Sequence, residues 1–405
     1  MAVLVLNTGS SSLKFALYEP VRSTSFSPPQ LEMILGGAVK GIGHHVMIDL
    51  RGQALASEGS AAIHTHEDAV RWVVEHLEDR PIESVGHRVV HGGRWFTGTV
   101  VIDNTVLVQL EELARLAPLH YAASLAGIRA VRSLLGNRVP MTTVFDTTFH
   151  LTIPDYAATY AIPRDLTARH AIRRYGFHGL AHASSAARYV TLRGSSPDQV
   201  NLITAHLGNG CSVTAIRGGR SVDTSMGFTP LEGLVMGTRC GDLDPAIVSF
   251  LTEQEDLPAL EIEHILNTRS GLLGLSGLSS DMAELIRAER AGHSGARLAI
   301  EVFCYRVRKY IGAYLAVLGK VDAVLFSGGI GEHAPDIRAR ICRGMEWCGM
   351  NLLADANAGV NGLEPGEIVC ISRDGAALPV YVTGVDEEGE IARETVACLS
   401  SATGQ

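Results

Sequence analysis

The chain has 405 residues, 46% of them hydrophobic and 19% charged, more than one hydrophobic core usually accommodates, so two domains are expected. A formal net charge of −9 excludes nucleic acid as a main partner, because gripping a phosphate backbone needs a basic face, whereas a few local arginines suffice for a small anion. The seven cysteines (Cys211, Cys240, Cys304, Cys342, Cys348, Cys370 and Cys398) are scattered, odd in number and form no CxxC pair, which speaks against a zinc site or a disulfide framework and for reduced thiols; the opening MAVLVLNTGSSS has no basic leader and no uncharged stretch reaches membrane-spanning length, so a cytoplasmic protein is expected.

Taken in order, residues 3–6 form an apolar run, Asn-Thr-Gly-Ser-Ser-Ser a polar turn and residues 13–18 a second run, which reads as strand, turn, strand. Residues 23–30 (STSFSPPQ) read as a surface loop. A helix is predicted over 65–78, where Thr65-x-x-Asp68 fits a capping box and Ala69, Val70, Val73, Val74 and Leu77 recur at helical spacing. Residues 85–90 and 141–145 are β-like, the second ending in Asp146-Thr147-Thr148. Near residue 200 the opening pattern restarts: 201–205 leads into His206-Leu207-Gly208-Asn209-Gly210, and 212–216 is apolar. Shifted by 200, Gly9-Ser10-Ser11-Ser12-Leu13 lies over Asn209-Gly210-Cys211-Ser212-Val213, which suggests a duplicated α/β unit. A long helix is predicted over 300–318. A buried strand over 321–326 then runs into Ser327-Gly328-Gly329-Ile330-Gly331-Glu332, and the residues after 400 are expected to fray. Mixed strands and helices argue for an α/β protein that binds ligands at the C-terminal ends of its strands.

Three glycine- or hydroxyl-rich turns, at 7–12, 206–210 and 327–332, each follow an apolar run. Glycine allows successive backbone N–H groups to converge on an anion and lets a phosphate approach closely. Any one of them suits an ordinary hairpin; three together point to phosphate. The GxxxxGK[ST] loop and the HRD and DFG sets of protein kinases are missing, and GGIGEH lacks the GxGxxG spacing of dinucleotide folds. In Gly86-His87-Arg88-Val89-Val90-His91-Gly92-Gly93-Arg94, Arg88 suits bidentate capture of a carboxylate or phosphoryl group. His87 and His91 are four apart, a metal spacing only on a helix, and this segment is β-like. Tyr175-Gly176-Phe177-His178-Gly179 sets a histidine between an aromatic residue and glycines, as if presented at a cleft. Thr238-Arg239-Cys240-Gly241-Asp242-Leu243-Asp244-Pro245 reads either as a salt-bridged loop or as an anion site. Asp146 suits a base, a metal-shell carboxylate or a cap, and spacing does not choose among them.

On LVLNTGSSSLKF, GHRVVHGG, FDTTFH, RRYGFHG, HLGNGCSV, DTSMGFTPLEGLVMGTRCGDLDP, FSGGIGE and the late IARET region, the chain resembles the acetate kinase (acetokinase) family, which includes propionate kinases, over essentially its full length. The resemblance implies a duplicated, actin-like (ribonuclease H-like) α/β fold of two domains with an interdomain cleft, 1–150 plus a returning 385–405, and 151–384. It implies a homodimer and reversible, direct in-line phosphoryl transfer from ATP to acetate, giving acetyl phosphate and ADP with Mg²⁺ or Mn²⁺.

Carried over, it puts Asn7 and Glu387 in the metal shell, Lys14 with Ser10 and Ser12 on the ATP phosphates, and Arg88 on the substrate. His178 and Arg239 would stabilise the phosphoryl group in flight, and Asp146 would be the acid–base residue. His206, Leu207, Gly208, Asn209 and Gly210 would line the phosphate side. Asp281, Met282 and Ala283, with Gly329, Ile330, Gly331, Glu332 and His333, would line the adenosine side. Val90, Leu119, Phe177 and Pro230 would form the acyl pocket near His120. A carboxylate nucleophile is already ionised at neutral pH, so Asp146 reads as an electrostatic or metal-ordering group rather than a proton acceptor. The chain departs from the family pattern at Tyr121-Ala122 beside His120, at Ala283, where a cation is lost, at His333, and at Asp386-Glu387-Glu388. Val90 favours acetate over propionate. A sugar kinase suits Arg88 and His120 less well, and a non-catalytic actin-like nucleotide-binding protein has no use for the Arg88, His178 and Arg239 cations.

Overall fold

The computed structural model describes residues 1–9, 12–21, 31–43, 45–51, 63–77, 80–114 and 118–403. The loop expected at 23–30 lies outside them. The chain divides into two compact units, one of Met1–Thr148 with Asp386–Gln405 and one of Phe149–Val385.

The first unit is built on a seven-stranded sheet. Its strands are β1 (Val3–Thr8), β2 (Ser12–Pro20), β3 (Leu31–Lys40), β4 (Met47–Arg51), β5 (Ser84–Val89), β6 (Val100–Val101) and β7 (Met141–Phe145), in the order β4-β3-β2-β1-β5-β7-β6. β1 to β4 are antiparallel neighbours, β1, β5 and β7 run parallel, and β6 closes the edge antiparallel. Every residue of β1 is buried, as a parallel strand covered on both faces requires. The helix Pro118–Leu135 packs on one face, where Gly127 approaches Thr8; the helix Glu387–Thr403 packs on the other. There the Thr395 hydroxyl is 2.8 Å from that of Thr142, and a Cβ on Gly86 would lie 2.4 Å from Thr395 Oγ1, so glycine at 86 lets this helix seat. Leu4, Leu6, Phe15, Leu17, Val70, Val73 and Val85 form the core beneath the first face. Burying side chains of this kind contributes about 1.5–3 kcal/mol each before the entropy cost is counted.

The second unit repeats the plan with six strands: β8 (Asn201–Leu207), β9 (Cys211–Arg217), β10 (Arg220–Thr224), β11 (Ala323–Ser327), β12 (Ile368–Cys370) and β13 (Val380–Thr383), ordered β10-β9-β8-β11-β13-β12. Again a meander leads into parallel neighbours, β8, β11 and β13, and an antiparallel edge strand follows. This is the duplicated α/β topology that the internal repeat suggested, in the actin-like arrangement that the family resemblance implied. β1 with β2 and β8 with β9 are the matching antiparallel strand pairs of the two units.

Sequence and structure differ at boundaries and in one element type. The helix expected over 65–78 is His66–Glu75; Thr65 caps it, and the Thr65–Asp68 capping box is complete. The helix expected from 300 starts six residues earlier, at Ser294, because the His293 side chain caps it by accepting from Ala296 N–H. The third turn, at 327–332, is not open: Ser327 ends β11 and Gly328–His333 coils into a short helix. The C-terminal helix continues to Thr403 instead of fraying after 400, held by its packing against β1, β5 and β7.

Candidate active site

In the first unit the polar side chains gather at the C-terminal ends of the three parallel strands. Asn7 lies near the end of β1, Arg88 near the end of β5, and Asp146 directly follows β7. Gly86 and Arg88 share the strand face that meets the Glu387–Thr403 helix, whose first turn is acidic and therefore suited to the positive end of the helix dipole. The Arg88 guanidinium grips Asp146 with two nitrogens: Nε donates at 3.1 Å and Nη2 at closer range, while Nη1 donates to Asn7 Oδ1 at 3.3 Å. Asn7 Nδ2 then donates to Glu387 at 2.9 Å and Glu388 at 3.0 Å. Burial works against charge on Arg88, yet Asp146, then Glu387 and Glu388, hold its pKa above the ordinary value. Asp146 is 1% exposed, so the carboxylate side of the ion pair is desolvated, while the Arg88 side chain keeps partial exposure. Its partner is the permanently charged Arg88 guanidinium.

Among the described residues no three His, Cys, Asp or Glu side chains converge into a protein-only metal cage. Magnesium shares its shell with water and phosphate and needs only one or two carboxylates. Glu387 and Glu388, both directed at the Asn7 amide, supply hard oxygen donors of that kind. Lys14 is the cross-strand partner of Asn7 and is exposed. Ser12 is half-buried at the start of β2, whereas Ser10 lies outside the described residues. Val90 is buried two residues beyond Arg88. The side chains of Leu119 and His120 lie outside the described residues. Tyr121, next to them, is buried and donates its hydroxyl to the His91 carbonyl, bracing the segment that carries Arg88. His87 is buried on the opposite face from Arg88 with no partner at Nε2, and burial pushes its pKa down to about 3.

In the second unit His178 adopts a left-handed backbone (φ 57°) as the N-cap of the helix Gly179–Arg193, an uncommon conformation for a non-glycine residue. Gly176 makes the turn possible: its φ is +73°, and a Cβ there would meet the His150 ring at 2.7 Å. His178 Nε2 and Arg239 Nη2 converge beside the loop 206–210, lying 3.2 and 3.4 Å from where a Cβ on Gly210 would sit. Arg239 Nη1 donates to the Pro230 carbonyl at 2.8 Å, and burial lowers its pKa. Among the described residues no carboxylate forms an ion pair with Arg239. The acidic residues of its segment point elsewhere: Asp242 pairs with Arg306 at 3.2 Å, and Asp244 accepts from Ala246 N–H at 2.9 Å. The segment 238–245 is thus a salt-bridged loop at its acidic end, while Arg239 forms no ion pair with a described carboxylate.

Loops 206–210 and 327–333 leave adjacent parallel strands, with His206 paired to Ser327 in register and linked to it through Nδ1 and Oγ at 3.1 Å. Within the first loop Leu207 is buried, Gly208 N–H bonds the Gly210 carbonyl, and Asn209 O accepts from Gly237 N–H. Gly329, Ile330 and His333 are partly or fully exposed, Gly331 is buried, and Glu332 accepts from Gly328 N–H at 3.0 Å. Of the other residues expected at adenosine, Asp281 caps the helix Met282–Arg290, Met282 is buried and Ala283 exposed. Phe177 is buried and its carbonyl is 2.9 Å from His150 Nε2.

Sequence reasoning passed over four groups: Glu388, Ser212, His182 and Arg338. The signal for His182 was present, since it stands four residues after His178 at helical spacing. Arg338 is fully buried without a carboxylate partner. It donates to the carbonyls of Gly331, Glu332, Asn357 and Val360 and to Asn357 Oδ1, stapling the 328–333 segment to 357–360. No sequence pattern marks it.

The chain matches the acetokinase family model over residues 2–393. An acetate kinase from Solibacter usitatus is 48% identical, with 98% of each chain covered. Among solved structures, an acetate kinase from Porphyromonas gingivalis superposes with a TM-score of 0.84 at 37% identity, covering 98% of this chain and 99% of that one. A propionate kinase from Francisella tularensis gives 0.86 at 36% identity, with the same coverage. With a family match running almost from end to end, this chain belongs to the acetokinase family.

Proposed function

We propose that the protein reversibly transfers a phosphoryl group from ATP to acetate, giving acetyl phosphate and ADP. The observation that carries this reading is the convergence of His178 and Arg239 beside the Gly210 loop, with Arg239 unpaired among the described carboxylates. Phosphoryl transfer spreads charge over three equatorial oxygens, so donors fixed in advance lower the barrier more than a strong base would. The acid enters as a carboxylate, already the nucleophile at neutral pH. In this reading Arg88, oriented by Asp146, holds that carboxylate, and Val90, Leu119, Phe177, Pro230 and His120 bound its alkyl group. Lys14, Ser10, Ser12 and residues 206–210 take the phosphates; Gly329, Ile330, Gly331, Glu332, His333 and Asp281, Met282 and Ala283 take the adenosine. Asn7 and Glu387, with Glu388, would hold Mg²⁺ or Mn²⁺, which when bound neutralises phosphate charge.

Acetate is favoured over propionate because the branched Val90 narrows the pocket, and one methylene is worth about 1–3 kcal/mol of discrimination. The seven free thiols, and the lack of any described helix long and apolar enough to cross a membrane, accord with a cytoplasmic setting; a homodimer rests on the family resemblance. Trapping acyl phosphate as hydroxamate with acetate, propionate and butyrate tests the reading. Turnover should be highest with acetate; ATP binding with no acyl phosphate from any of the three acids sinks it. Arg239→Ala should lower kcat by at least about a hundredfold, the range for losing one transition-state donor, while leaving the melting temperature in place.

A further inference from the structure

A neutral imidazole carries one N–H, so it donates toward a phosphoryl oxygen from Nε2 only if its proton is kept off Nδ1. In His178 the Nε2 edge faces the Gly210 loop and Nδ1 faces the Ser212 hydroxyl at 2.9 Å. That hydroxyl has a second neighbour, His182 Nε2 at 2.7 Å, and His182 Nδ1 is 2.7 Å from Thr204 Oγ1. Ser212, His182 and Thr204 are all 0% exposed. Burial, aided by nearby His150, His206 and His178, keeps the pKa of His182 well below its ordinary value, so it stays neutral with a single N–H.

We propose that Ser212 and His182 are positioning residues for phosphoryl transfer, a chain of hydrogen bonds that aligns the His178 ring and sets its proton on Nε2. The inference rests on His178 facing the transferred group. Each hydroxyl and each neutral ring in the chain has one proton to give, so the bonds run in one direction or the other as a unit. In the productive direction Thr204 donates to His182 Nδ1, His182 Nε2–H donates to Ser212, Ser212 donates to His178 Nδ1, and His178 Nε2–H points outward. In the opposite direction a neutral His178 would present a lone pair to a phosphate oxygen. The elements enforce the spacing: His178 and His182 are one turn apart on a single helix, and Thr204 and Ser212 sit on the neighbouring strands β8 and β9.

The test is a double-mutant cycle on the full-length enzyme with MgATP and acetate, comparing Ser212→Ala, His178→Ala and the pair. Ser212→Ala should lower kcat about tenfold, the worth of one buried hydrogen bond, with both KM values within about twofold; it should also lower the melting temperature, because the buried His182 Nε2 loses its partner. In the His178→Ala background it should cost nothing further. An equal loss in both backgrounds, or wild-type kcat for Ser212→Ala alone, overturns the inference while leaving the role of His178 standing. Wild-type kcat for His178→Ala would instead remove that role and the inference with it. Ring-nitrogen NMR of ¹⁵N-histidine-labelled enzyme gives a readout that packing alone would not move: a protonated Nε2 on His178 in the parent, and a mixture of tautomers in Ser212→Ala. An unchanged tautomer in that variant counts against the proposal.

Discussion

Two arginines of the same formal charge are placed for opposite tasks. Arg88 is paired in advance with Asp146, whereas Arg239, half-buried, forms no ion pair with a described carboxylate. Asp146→Ala should therefore do two things at once. It leaves a half-buried guanidinium without its carboxylate, which costs about 1–3 kcal/mol of stability, and it frees Arg88 to rotate, so kcat should fall well beyond what the stability loss explains. Urea unfolding and hydroxamate kinetics on the same preparation separate the two. Gly210→Ala is the complementary case: its methyl would crowd His178 Nε2 and Arg239 Nη2, so kcat should drop at least tenfold with little change in unfolding midpoint. The glycine and arginine motifs announced themselves in the sequence by residue type. Their state of pairing did not, since Arg88 and Asp146 are 58 residues apart in sequence and meet only through adjacent strands.

At the scale of elements, alternation and capping chemistry were enough to find β1, β2, β5, β7, β8, β9, β11 and the capped helix at 66–75. The 328–333 segment was the exception. Its glycines read as an open turn, but a short helix forms there whose last carbonyls are satisfied by the Arg338 side chain from the following helix Pro335–Cys342. Arg338→Met should leave several buried carbonyls without donors, costing about 3 kcal/mol or more, and should raise the KM for ATP ahead of that for acetate. Lysine is not expected to rescue it, because three donors at a point do not reproduce a five-donor fork. Comparing Arg338→Met with Arg338→Lys by urea melts and by both KM values checks this.

For the whole molecule, His87, His150 and His182, three of the four described histidines that are fully buried, tie stability to pH. Burial pushes the pKa of His87 to about 3, that of His150 to about 4, and that of His182 well below the ordinary value. Each stays neutral in the folded state but takes up a proton on unfolding below about pH 6.5. Stability is therefore full above that pH and declines as pH falls toward the folded values. Between pH 7 and 5 each should remove about 2 kcal/mol, read as a falling urea midpoint, and His87→Leu should flatten its share of the slope.

The sequence by itself determined the local strand–turn–strand units, their repetition at an offset of 200 and the glycine–arginine motifs that carry the family likeness, because alternation, capping and turn chemistry act over a few residues. Tertiary structure alone decided that Arg88 is paired with Asp146 while Arg239 meets no described carboxylate, that Glu388 joins Glu387 on Asn7, and that Ser212 and His182 stand behind His178. Those contacts join residues separated by tens to hundreds of positions, and their strength comes from exclusion of water, which no local pattern records.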